Sequence, residues 1–162
     1  MPRGNKSLSG KIHHNVAFVI PCHEGDFYYL KNLLSSFLDC FKKGNICGVI
    51  VVLTAKAEIE KFLSKHPHFE DCGFKFESLD EYCTKTHKFG KSHGVINVKK
   101  FYGIYKNLNE NYEFFITVDC ESTILNLENL YEKCSLEDSL KKVYGTRIER
   151  NLLGKVAKYC LD

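Results

Sequence analysis

Little in this chain interrupts regular structure: it has three prolines in 162 residues, no low-complexity tract and no internal repeat. That excludes disordered and fibrous classes, and the 44% hydrophobic, 27% charged composition is that of an ordinary globular protein. No apolar run approaches the length of a transmembrane helix. The polar, basic opening MPRGNKSLSGKIHHN lacks the apolar core of a signal peptide, so the cytoplasm is the expected location. The eight cysteines include no C-x-x-C pair and follow no regular spacing. They read as reduced thiols of a cytosolic protein, not as a disulfide scaffold or a metal cluster. A net charge of +3 is too small to imply a nucleic-acid partner.

The length suits one domain with a substantial core and is short for two. Residues 1–14, with the adjacent His13 and His14, read as a flexible leader, and 15–162 as a single α/β domain. The first element is VAFVI at 16–20, an apolar strand ended by Pro21. The loop CHEGD follows and offers the side chains of His23, Glu24 and Asp26. Phe27, Leu30, Leu33, Leu34, Phe37, Leu38 and Phe41 then recur at helical spacing, with Asp26 as N-cap and Gly44 as the stop.

CGVIVVL at 47–53 is apolar throughout, as in a parallel strand covered on both faces, and it ends at Thr54. A short helix over 56–65 carries Ile59, Phe62 and Leu63, and His66-Pro67 closes it. FKFES at 74–78 alternates as an edge strand would. The first 80 residues therefore predict βαβαβ and a mainly parallel sheet. CTKTHKFGKSHG at 83–94 has no apolar period and reads as a long exposed loop. A helix over 95–108 is predicted to bury Val95, Val98, Phe101, Tyr102, Tyr105 and Leu108, with Lys99 and Lys100 near its start. Short helices are predicted over 127–133, 136–142 and 151–159.

The stretch EFFITVDCEST at 113–123 organises the rest. Residues 114–118 form a short aromatic and β-branched run that reads as a buried strand, and Asp119 and Glu121 follow it at once. In an open α/β sheet, ligands collect beyond the carboxyl ends of the strands. A lone D-x-E is more often two solvated acids. Cys120 between them points the other way if the chain stays extended.

VAFVIPCHEGD, CGVIVVLTAK, INVKKFYGIYKNL and YEFFITVDCEST, in that order, resemble the nucleotide-binding half of GT-A-type glycosyltransferases. The resemblance covers about 16–125. It implies a three-layer α/β fold with a mainly parallel sheet, and transfer of a sugar from a nucleotide diphosphate sugar to a glycan or other acceptor. In that family a D-x-D-type motif after the fourth strand holds Mn2+ or Mg2+ on the diphosphate. Asp119 and Glu121 stand in the matching place as metal ligands. The resemblance further implies donor binding by Pro21, His23, Glu24, Asp26, Thr54, Lys99, Lys100 and Asp119. Hard carboxylate oxygens suit such a cation, which neutralises a diphosphate leaving group.

Two features depart from the family. The second strand ends Leu53-Thr54-Ala55, without the acids that bind base or ribose in many such transferases. Complete enzymes also carry an acceptor half after the metal motif, and the stretch after Glu121 is short and holds no histidine; Arg147 and Arg150 are its notable polar residues. The expectation is a donor-binding half that is a truncated product, a degenerate copy, or a piece completed by a partner subunit. ITVDCESTIL also matches the haloacid dehalogenase phosphatase motif with Glu121 for its second Asp, although that motif normally opens a domain. A non-catalytic binding remnant is the third alternative.

Overall fold

The computed structural model describes residues 16–43, 47–81, 93–110, 112 and 114–127. The leader, Gly44, the loop from 83 to its last two residues, the helices predicted beyond Leu127, Arg147 and Arg150 lie outside the described residues. Strand β1 (Val16–Pro21) leads through a 3-10 turn at Glu24–Asp26 into helix α1 (Phe27–Lys42). Strand β2 (Gly48–Leu53), helix α2 (Lys56–Lys65), strand β3 (Lys75–Ser78), helix α3 (His93–Lys106) and strand β4 (Phe114–Thr117) follow.

The described strands form one sheet in the order β3-β2-β1-β4. Every pairing is parallel: Ala17 matches Gly48, Ile50 matches Lys75, and Val16 matches Phe114. The architecture is α/β, and strand alternation sorts it into three layers. Phe18, Ile20, Val49, Val51 and Leu53 face one side, where Leu30, Leu33, Leu34 and Phe37 of α1 and Phe62 of α2 cover them. Ala17, Val19, Ile50 and Val52 face the other, under Val95, Val98 and Tyr102 of α3. Burial on both faces is why β1 and β2 are apolar at every position.

The chain steps outward from β1 to β2 to β3, then returns through α3 to lay β4 on the free side of β1. The strand order therefore reverses between β1 and β4, and their carboxyl ends flank the topological switch point, where open α/β sheets bind ligands.

Helix α3 is seated by three contacts. At Gly103 a Cβ would stand 2.7 Å from Val19 Cγ1 and 2.8 Å from Val52 Cγ2, so only glycine lets the helix backbone lie this close to the sheet. At the far end, Asn107 Nδ2 donates to Glu77 Oε1 at 2.9 Å and to Gly103 O at 2.8 Å. Near the start, Lys99 Nζ donates to the carbonyl of Cys22 at 2.5 Å.

The predicted apolar face of α3 is corrected in part. Val95, Val98 and Tyr102 are buried, but Phe101, Tyr105 and Leu108 are 44%, 65% and 56% exposed. The helix instead turns Lys99 and Gly103 inward, because the close approach at Gly103 centres the buried stripe on its side of the helix. Lys99, which also reads as one lysine of a solvated face, is 2% exposed.

Candidate functional site

Three segments meet at the carboxyl edge: the exit of β1, the exit of β4 and the first turns of α3. Beyond its last ladder pair, β1 is still gripped from both sides. Val118 N donates to Val19 O at 3.0 Å, and Cys22 N donates to Val52 O at 3.0 Å. Pro21 is buried as the last residue of β1. Its missing N–H leaves no unpaired donor in the ladder, so it ends the strand without cost there.

The loop after it is held by its own side chains. Gly25 N donates to His23 Nδ1 at 3.0 Å, while His23 Nε2 lies 2.9 Å from Asp26 Oδ2. A ring with its hydrogen on Nε2 satisfies both partners. Asp26 therefore spends its carboxylate on His23, and it makes no side-chain capping bond to α1, contrary to the sequence expectation. Glu24 pairs with Lys61 of α2. That contact, chiefly, with Lys65 further off, holds the Glu24 carboxyl below the usual carboxylate range.

Thr54 sits at the end of β2, beside the switch point. Its N–H donates to Glu58 Oε2 at 2.8 Å, and the N–H of Ala55 donates to the same oxygen at 3.4 Å. Asp80, just after β3, accepts from Lys56 N at 3.1 Å. Two acids thus satisfy the amides where α2 begins, a job that the side chain of Ala55 cannot do. Sequence reasoning missed both; a glutamate three residues into the helix was the available signal for Glu58. Asp80 comes from a different strand end and left none.

On β4 the two acids part company with the residue between them. Asp119 and Glu121 are exposed, while Cys120 is buried at 6% exposure; the chain does not stay extended here but turns, with Ser122 N donating to Asp119 O at 3.0 Å. Asp119 Oδ1 pairs with Lys100 Nζ at 2.8 Å, their side chains 67% and 23% exposed. Such a pair contributes about 0–1 kcal/mol and is easily exchanged for another partner. The adjacent lysine differs. Burial pushes the Lys99 ammonium below its usual range, against the opposing pull of Glu58, Cys22, Cys120 and Asp26.

Among the residues proposed from sequence, the structure links Lys100 to Asp119, and Lys99 to the backbone beside His23. Glu24 turns instead to Lys61 of α2. No group of three or more His, Cys, Asp or Glu side chains gathers as a metal cluster among the described residues. Asp119 and Glu121 are two exposed carboxylates on the turn that follows β4, and they are the residues that would have to hold a cation there. Two hard oxygen ligands from protein, with the rest from phosphate and water, is the way Mg2+ is held on nucleotide substrates. The residues fit a cation that arrives with a diphosphate, and they do not build a closed all-protein cage.

No helix among the described residues is long and apolar enough to cross a membrane. No protein-family model matches the chain, and no curated protein does so. Among solved structures the chain is similar to the crystal structure of S. aureus TarS, with a TM-score of 0.40 and 17% identity. The match covers 84% of this chain and 23% of that one, so the chain spans less than a quarter of TarS.

Proposed function

We propose that this domain binds a nucleotide diphosphate sugar at the β1/β4 switch point, as the donor-binding part of a GT-A-type glycosyltransferase. The observation that supports the reading is the Lys100–Asp119 pair, 2.8 Å apart, just past β4 and beside that switch point, with Glu121 exposed two residues on. Asp119 and Glu121 would hold Mn2+ or Mg2+, which supplies charge neutralisation for a departing diphosphate. Lys100 adds a second positive charge at the same place, and its weak surface pairing with Asp119 leaves it available to a phosphate oxygen.

The remaining residues prepare the pocket. Lys99 holds the Cys22 carbonyl, and so fixes the start of the loop that presents His23 and Glu24. It is a positioning residue; its burial and its bond to Cys22 keep it from the phosphates. The His23–Asp26 contact rigidifies that loop, which lines the base and ribose side together with Thr54. Sugar transfer to a glycan or other acceptor then needs an acceptor site beyond the described residues, from further sequence or a partner subunit. A phosphatase reading is weaker, because the strand before Asp119 is the fourth in the described chain and stands at the end of the sheet order, whereas that motif normally opens its domain.

Calorimetric titration with a panel of nucleotide diphosphate sugars, with and without Mn2+, tests the reading. Metal-dependent heat with at least one donor supports it, and none with any donor refutes it.

A further inference from the structure

Among the described residues the chain beyond β4 forms no further helix or strand, yet it lies on the layer that α1 covers. Cys120 and Leu127 are buried there, and Ile124 is partly buried against the same cluster. Such a segment has no ladder for its amides, so a half-buried N–H needs an acceptor from elsewhere. For Ile124 the acceptor is a side chain of α1: its N–H donates to Ser36 Oγ at 3.0 Å. Ser36 Oγ in turn donates to Leu33 O at 2.7 Å, within the helix. The hydroxyl proton is thus spent on α1, which fixes the oxygen in place and leaves a lone pair for the segment.

We propose that Ser36 is a positioning residue for Asp119 and Glu121, and that cation binding on the turn after β4 depends on its hydroxyl; the inference rests on the donor-site reading above. The two acids stand between two anchors. On the near side, Val118 N donates to Val19 O at 3.0 Å and ties the turn to β1. On the far side, the Ile124 bond ties it to α1. Between them, Ser122 N donates to Asp119 O at 3.0 Å and closes the turn. Two exposed carboxylates lose conformational freedom when they take one cation, and the part of that ordering already present in the fold raises affinity. Ser36 supplies no ligand; it acts through the backbone of 119–124.

The residue before it is the control. Ser35 Oγ donates to Lys31 O at 2.9 Å, the same kind of bond inside the same helix. Ser35→Ala and Ser36→Ala remove the same group and both raise helix propensity, so both chains should fold. What differs between them is the bond to Ile124.

The test compares wild type, Ser35→Ala, Ser36→Ala and Ser36→Thr as full chains. Amide hydrogen exchange read by mass spectrometry needs no ligand: peptides covering 119–124 should exchange several-fold faster in Ser36→Ala than in the other three. Calorimetry with uridine, guanosine, adenosine and cytidine diphosphates, each with and without Mn2+, then reads the site. Mn2+-dependent affinity should fall about three- to tenfold in Ser36→Ala, the scale of one hydrogen bond, and recover in Ser36→Thr. Any metal-independent binding should match the wild type. Exchange over 119–124 that is the same in Ser36→Ala and wild type overturns the proposal. So does Mn2+-dependent binding that Ser36→Ala keeps in full, or that Ser35→Ala loses equally. If the wild type takes up none of these diphosphates with Mn2+, the donor-site reading fails and this proposal falls with it, an outcome distinct from either of those.

Discussion

The ammonium of Lys99, 2% exposed on α3, donates to the backbone carbonyl of Cys22 at 2.5 Å and so pins the exit of β1 to the helix that carries Lys100. A buried ammonium is costly unless it is bonded, and this one spends its charge on a carbonyl at the edge of the candidate site. Each side of that contact can be tested.

Lys99 gives the fold a pH dependence of known sign. Its folded pKa lies below the unfolded value of 10.5, so between the two the unfolded chain binds more protons and stability rises with pH. Below the folded pKa the fold carries the whole cost of burying the charge. Lys99→Met removes this contribution. Denaturant unfolding of both proteins at pH 7 and near pH 10 should show the wild type gaining on the variant at the higher pH. A difference that stays flat or falls contradicts the account.

Gly103→Ala should destabilise the domain by about 1–3 kcal/mol, the usual cost of overpacking. The added methyl would meet Val19 Cγ1 and Val52 Cγ2, two buried branched side chains without room to retreat. Val52→Ala in the same chain should recover part of the loss. Additive losses in the double variant would show that the close approach is not what Gly103 provides.

Ala55 occupies the N-cap of α2 with φ −134° and ψ 151°, the extended geometry of a capping residue that lacks a capping side chain. Ala55→Ser should therefore stabilise the domain by about 0.5–1 kcal/mol. Glu58→Gln, which weakens the acceptor for the Thr54 and Ala55 amides, should cost a similar amount. Thermal unfolding midpoints check both, and the opposite order would refute this view of how the helix starts.

Lys100→Ala should leave stability within about 1 kcal/mol of the wild type, because an ion pair whose acid is exposed contributes little even with a half-buried lysine. If Lys100 meets a phosphate oxygen, the same change should weaken nucleotide diphosphate binding about tenfold or more, in line with a charge-assisted bond of about 1.5–3 kcal/mol. Equal binding by both proteins would remove Lys100 from the site.

Much of the fold was legible because β1 and β2 are apolar at every position and α1 and α2 repeat at helical spacing. Those patterns report burial directly, and α2 spans the predicted 56–65. The seating of α3 was not legible. Phe101 and Tyr105 outweigh Gly103 and Lys99 in any count of apolar residues, yet the helix buries the latter two, since a glycine contributes by the side chain it lacks and a lysine by a single bond to a distant carbonyl. The acids of β4 were legible from their position after a strand. Their pairing with Lys100 was not, because it depends on where the strand order reverses. The bond from Lys56 N to Asp80 at the start of α2 likewise arises only once separate strand ends lie side by side.

The most direct test of the donor-site reading compares wild-type protein with Asp119→Ala in calorimetric titrations with nucleotide diphosphate sugars, with and without Mn2+. Asp119 is exposed and weakly paired, so the variant should unfold within about 1 kcal/mol of the wild type and any change can be assigned to binding. The account predicts heat with at least one donor that requires Mn2+ in the wild type and is lost in the variant. Metal-independent heat, or the same metal-dependent heat in both proteins, would contradict it.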